Sequence, residues 1–137
     1  MGVPFFGAYW KNVEGPIDAK GEMWFTAKPK TKGSDQYEGG YIPWRNMKSI
    51  GFNVSSATWH QDSRTPFIWL PEKQEFLGFE NARSLREKVE YTKAHSLGGI
   101  TIWSIEMDND NDTLLNSVYS ADLCYSNRND TIYYNCG

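Results

Sequence analysis

The sequence is short of several residue types and patterns, and each shortage removes a class of function. It has only two cysteines in 137 residues, Cys124 and Cys136, and neither stands in a C-x-x-C or histidine-rich setting. Thiolate ligation of a structural zinc is therefore not indicated, and no metal is expected. It has no G-x-S-x-G elbow, so the nearness of His60 to Asp62 does not suggest a hydrolase triad, and a histidine in a polar turn is expected at the surface. It has no G-x-x-x-x-G-K-[ST] loop, and Glu38-Gly39-Gly40 lacks the strand-to-helix context of a phosphate cradle. It has no excess of basic residues: 14 Lys and Arg stand against 17 Asp and Glu, for a net charge of −3, with the signs scattered. Nucleic acid is a poor partner for such a surface. No apolar run approaches the roughly 20 residues of a membrane-spanning helix, so no membrane segment is expected. The first residues show no basic start and apolar core, so no signal peptide is visible.

Aromatic rings, by contrast, are plentiful. Six Trp, eight Tyr and seven Phe accompany a hydrophobic fraction of only 39%. Rings fill cores, and they also stack on the apolar faces of sugars. Three N-glycosylation sequons, Asn53-Val-Ser55, Asn111-Asp-Thr113 and Asn129-Asp-Thr131, join an even cysteine count in leaning toward a secreted or lumenal protein. A bridge between Cys124 and Cys136 would close the polar tail into a small loop; the alternative is a cysteine partner elsewhere. The length fits one compact domain or a piece of a larger one.

Along the chain, Gly2-Val3-Pro4-Phe5-Phe6-Gly7 reads as a buried strand with Pro4 at an edge or end. A strand that starts this early suggests preceding sequence. From Lys11 to about Gly78 the pattern is irregular, with aromatic patches at Met23-Trp24-Phe25 and Tyr41-Ile42-Pro43-Trp44. Trp59 and Phe67-Ile68-Trp69-Leu70 suggest two strands around a polar turn, and Phe76-Leu77-Gly78-Phe79 suggests a further one. The spacing then predicts a helix from about Ala82 to His95, opened by Asn81 or by a Ser84-x-x-Glu87 capping box. Leu85, Val89 and Thr92 share its buried face, Arg86, Lys88, Glu90 and Lys93 stay in water, and Gly98-Gly99 ends it. The β-branched run Ile100 to Ile105 follows as a buried strand, which makes an α/β half-unit.

Asp108, Asp110 and Asp112 have the spacing of the first ligands of a calcium loop, but Thr113 and Tyr119 stand where that loop needs glycine and glutamate. A solvated acidic loop with one Asp capping a short helix around Thr113 to Val118 is the expectation. Trp103, inside a β-branched strand, is either a core ring or a ligand platform.

Taken in order, GVPFFG, YEGGYIPW, the Trp59 strand and FLGFENARSLREKVEYTKAHSLGGITIWSIEMDNDNDTLL resemble the last third of a glycoside hydrolase family 18 chitinase domain over residues 2 to about 124. The GVPFFG opening is most similar to the nematode chitinase-like proteins. The resemblance implies an α/β fold, the C-terminal part of a TIM (β/α)8 barrel carrying an α+β insertion. Residues 1–10 would be the seventh barrel strand, 11–80 the insertion, 81–123 the last barrel helix, eighth strand and final helix, and 124–137 a tail. It implies chitin or N-acetylglucosamine oligosaccharide as partner, no cofactor, and an extracellular parent protein. Trp103 matches the ring under the sugar being cleaved. Phe6-Gly7-Ala8 stands where active relatives commonly read Tyr-Gly-Arg, and Asn46 where the insertion often presents a Glu; both departures weigh against hydrolysis.

Family members use the substrate's acetamido oxygen as nucleophile and a protonated Glu closing a fourth-strand D-x-x-D-x-D-x-E motif. Nothing in this sequence matches that motif, so no residue is assigned as catalytic and the chain alone is expected to be inactive. A lectin-like or protein-interaction module using Trp24 and Trp44 is the alternative. A third expectation is that unpaired barrel strands leave an exposed sheet edge that hinders independent folding.

Overall fold

In a computed structural model of the chain, residues 1–14 and 26–120 are described. Trp24, Cys124, Cys136, the Asn129 sequon and the tail lie outside them. The first strand, β1 (Gly2–Pro4), runs parallel to β9 (Thr101–Trp103), with Val3 opposite Ile102 and Pro4 opposite Trp103. Pro4 stands at the end of β1, where its missing N–H costs the ladder least.

The chain changes sheets at Phe5. Its N–H donates to the Trp103 carbonyl (2.8 Å), and its own carbonyl accepts from the Trp44 N–H (3.0 Å). Residues 6–10 therefore do not prolong β1; they form β2 (Phe6–Trp10) in a separate antiparallel sheet. A single strand over residues 1–10 is corrected accordingly, because the backbone bonds of Phe5 point to two different partners. The antiparallel sheet also contains β5 (Gly39–Pro43), β6 (Thr58–His60), β7 (Thr65–Leu70) and β8 (Glu75–Gly78), in the order β5-β2-β8-β7-β6. A small ribbon pairs β3 (Val13–Glu14) with β4 (Thr26–Ala27).

Alternation along β2 sends its side chains to two opposite faces. On one, Gly7 and Tyr9 lie with Ile42, Leu77 and Ile68 against Met47, Phe52 and Phe79. Gly7 lets these side chains close in: a Cβ there would sit 2.6 Å from Leu77 Cδ1 and 2.8 Å from Met47 Cε, so their ends would have to shift to admit one. On the other face, Phe67 and Phe76 stack with centroids 5.4 Å apart beside Val13 and Trp69. Residues 44–56 supply the cover over the first face as three short 3-10 turns, and no α-helix occurs among the described residues from 26 to 80. The extended Pro43 at one end and left-handed Gly51 within leave no run long enough for one.

The helix α1 (Ala82–Ala94) forms as its spacing predicts, with Ser84, Leu85, Val89 and Thr92 buried. Asn81 is the N-cap; its Oδ1 accepts from the Arg83 and Ser84 N–H groups, and the Ser84 hydroxyl accepts from the Asn81 N–H. The capping box is thus Asn81 with Ser84, not Ser84 with Glu87, whose carboxylate pairs instead with Arg64. The helix also ends before Gly98-Gly99: Ser96 takes the left-handed conformation, with Ser96 N–H on the Lys93 carbonyl and Leu97 N–H on Thr92. Lys88 is drawn out of solvent to pair with buried Glu80. With α2 (Thr113–Tyr119), helix α1 encloses a core of Val3, Phe5, Leu85, Val89, Leu114 and Val118.

His60 departs from its expected surface position and is buried. Its Nδ1 accepts from the Ser63 N–H (3.2 Å) and meets the Ser63 hydroxyl (2.7 Å), closing the β6–β7 turn. Arg83 lies 3.8 Å over the Trp59 ring and Arg64 reaches Glu87, clasping this hairpin to α1. Among the described residues no helix is long and apolar enough to cross a membrane.

Phe5 is fully buried where helices, β1 and the sheet meet. Phe5→Ala should cost about 3–5 kcal/mol, read as a fall in the denaturant midpoint of the chain; an unchanged midpoint would remove Phe5 as the junction.

Candidate functional site

The outer face of the antiparallel sheet carries a cleft of about 430 Å³, walled by Phe6, Ala8 and Trp10 from β2 and by Phe76 and Gly78 from β8. Pro4, Phe79 and Glu80 continue the lining. It is mostly apolar because the strand period puts Phe6, Ala8 and Trp10 on one side. Tyr41 of β5, 76% exposed, meets Phe6 edge to face at 5.1 Å and extends the aromatic surface. Among the described residues Glu80 is the only carboxylate in the lining, and Lys88 Nζ holds both its oxygens, at 2.8 and 2.9 Å.

Trp103 stands at the end of β9 and is 70% exposed. Among the described residues β9 pairs only with β1. The Ile100 to Ile105 strand is correspondingly reduced to Thr101–Trp103, with Ile105 exposed. The backbone brings Trp103 beside the cleft: it is the register partner of Pro4, and its carbonyl accepts from Phe5, one residue before Phe6.

Asn46 lies outside the cleft lining, exposed in the 3-10 turn Trp44–Asn46 that follows Pro43, the register partner of Phe6. Its carbonyl accepts from the Ser49 hydroxyl (2.7 Å). Phe6 thus lines the cleft, Trp103 lies outside the lining with its backbone bonded beside Pro4 and Phe5, and Asn46 stays on the flanking turn. That turn is tied to the segment after Trp103 by its neighbour, since the Arg45 guanidinium donates to the Glu106 carbonyl.

Two of the acidic residues after Trp103, Glu106 and Asp108, are engaged within the chain. The Ser104 hydroxyl donates to Glu106 Oε1 (2.5 Å) and holds that carboxyl below the ordinary glutamate range, helped by the Glu106 N–H and the Arg45 charge. Asp108 is buried and turned inward: Oδ1 accepts from Asn109 and Leu114 N–H, and Oδ2 from Leu115 N–H. It is the Asp that caps α2, although the N-cap position itself is Asp112. Among the described residues no group of three or more His, Cys, Asp or Glu is placed to hold a metal.

Residues 1–108 match the sequence profile of Glycosyl hydrolases family 18. The chain belongs to this family. Its relatives include Chitinase B of Serratia marcescens, 25% identical over 84% of this chain and 26% of that protein. Putative chitinase 1 of Margaritifera margaritifera is 32% identical over 79% of this chain and 21% of that protein. Among solved family structures, a chitinase from Rhizomucor miehei superposes with a TM-score of 0.70 at 30% identity, over 87% of this chain and 37% of that one. The chain thus spans about a quarter of the length of these curated relatives, and the described α/β unit covers a corresponding part of a family whose fold class is the TIM barrel.

The depressed Glu106 carboxyl has a measurable consequence. It stays ionised as the pH falls through the ordinary glutamate range, and its contacts are lost only when the pH passes its lower folded-state value. A carbon-detected NMR titration should give Glu106 a midpoint below that of an unperturbed glutamate, and Ser104→Ala should raise it. Identical midpoints in the two proteins would show that the Ser104 contact does not form.

Proposed function

We propose that this chain forms the floor and one wall of a chitin-binding groove in a family 18 domain and supplies no proton donor of its own. On this reading β1 and β9 are the seventh and eighth barrel strands, and residues 11–80 with β2 are the insertion that walls the groove. Residues 81–123 carry the last barrel helix, the eighth strand and the final helix. The observation that carries the reading is the exposed Trp103 ring at the end of β9, beside the cleft that Phe6 lines. A pyranose face stacked there gains about 0.5–1.5 kcal/mol beyond area burial, taking aromatic pairs as the guide. The solved chitinase of Ostrinia furnacalis, 26% identical with a TM-score of 0.63, was captured with allosamidin, which supports a carbohydrate-like ligand for this chain also.

Catalysis by the family route needs a protonated carboxyl aimed at the leaving oxygen. Glu106 is held ionised, and Glu80 is engaged by Lys88 on both oxygens. Both carboxyls are thus engaged by neighbours, and Phe6 and Ala8 bring no hydroxyl or cation to the cleft. The chain by itself is thus a binding element, and hydrolysis by a longer parent protein would depend on residues outside this sequence. The sequon at Asn53 supports an extracellular parent.

The alternative, a lectin-like or protein-interaction module centred on Trp24 and Trp44, gains no support from Trp44. Its ring packs against the helical core and the sheet core together, with its indole Nε1 buried. Trp24 lies outside the described residues.

Capture of the chain on chitin beads tests the reading. Trp103→Ala should weaken affinity by about 2- to 10-fold, whereas Trp44→Phe should leave it unchanged. Equal capture of Trp103→Ala and the parent chain would overturn the proposal. Incubation with chitin oligomers should release no sugar; turnover by the chain alone would contradict the missing proton donor.

A further inference from the structure

We propose that Asn53 is an N-glycosylation site whose oligosaccharide projects from the side of the sheet opposite the cleft. The acceptor motif Asn53-Val-Ser55 occupies an exposed 3-10 turn, Val54–Ser56, between β5 and β6. The turn is pinned from one side only: Phe52 is buried and Val54 packs with it against Met47, Ile68 and Leu77, the cluster on the face that Phe6 does not share. Asn53 and Ser55 remain exposed. The local geometry already folds the pair together, since the Ser55 N–H donates to Asn53 Oδ1 at 3.2 Å. Among the described residues nothing accepts from Asn53 Nδ2, and the Ser55 hydroxyl bonds to nothing. The amide nitrogen and the hydroxyl are therefore both open to a transferase, and a bulky solvated sugar can extend without displacing a core residue.

The chemistry is a group transfer from a polyprenyl-diphosphate-linked oligosaccharide. The Asn53 carboxamide nitrogen bonds to the anomeric carbon, the bond from that carbon to the diphosphate oxygen breaks, the diphosphate leaves with the electron pair, and the amide gives up one proton. No oxidant or reductant is involved.

The second described sequon is differently placed. Thr113 is the first residue of α2, half-buried, and its N–H is taken by Asn109 Oδ1 rather than by Asn111. The hydroxyl-bearing residue there belongs to a helix cap, and the proposal is confined to Asn53.

The inference rests on the extracellular reading of the parent, so the test supplies the lumen independently. The full chain is expressed in eukaryotic cells behind a cleavable secretory leader, and material whose leader has been removed is treated with a peptide amidase that converts glycosylated Asn to Asp. Peptide mapping should return Asn53 as Asp, Ser55→Ala and Asn53→Gln should each lose that glycan, and Ser55→Thr should keep it. Recovery of Asn53 as an unmodified amide from leader-cleaved chain would overturn the proposal, as would a glycan that persists in Ser55→Ala. Leader cleavage establishes entry into the lumen, so a negative result speaks against the site and not against the location of the parent.

Discussion

Everything that places the candidate site depends on one residue's backbone. Phe5 donates to Trp103 and accepts from Trp44, so one peptide joins the parallel pair to the antiparallel sheet while its side chain fills the helical core. A backbone donor and acceptor buried at such a junction cannot be left unpaired without a cost of about 1–3 kcal/mol each. The two bonds therefore fix where Trp103 sits relative to β2. Phe6, the next residue, can then line the cleft, with the Trp103 backbone held beside the lining residue Pro4. The Arg45 to Glu106 contact is a second, exposed tie between the same regions, and an exposed contact of this kind adds little stability.

The chemistry around Trp103 divides by direction. Two of the acidic residues that follow it are engaged locally: Asp108 gathers three N–H groups and starts α2, and Glu106 accepts from the Ser104 hydroxyl in its own turn. What faces outward is the indole itself. A flat apolar ring suits the carbon-bearing face of a sugar, the ligand class proposed for it.

Much of this was legible in the sequence where a local pattern decides the outcome. The α1 face of Leu85, Val89 and Thr92, the hairpin between Trp59 and Phe67, and the strand at Phe76 follow from period and turn chemistry alone, although the turn is shorter than the His60 to Pro66 span the polar residues suggest. The family, too, was legible in the ordered blocks from GVPFFG to the run ending at Leu115. What the sequence hid are choices made by tertiary contacts. The break at Phe5 is invisible because Gly2 to Gly7 is one apolar run, yet its two halves pair with strands nearly a hundred and about forty residues away. His60 looks like a surface turn residue until its Nδ1 is seen to close that turn. Ser96 replaces the expected glycine at the end of α1, since the Schellman bonds outweigh a modest left-handed cost. The aromatic wall of Phe6, Ala8 and Trp10 did carry a signal, the alternation of β2, but only a known strand boundary makes that alternation readable.

The most direct test of the account is to follow the indole N–H resonances of the six tryptophans by NMR during titration with a chitin oligomer, assigning each by single substitution. The account predicts that the Trp103 resonance moves with ligand while that of Trp44, packed between the two cores, stays in place. A Trp103 resonance that does not respond while another indole does would contradict it.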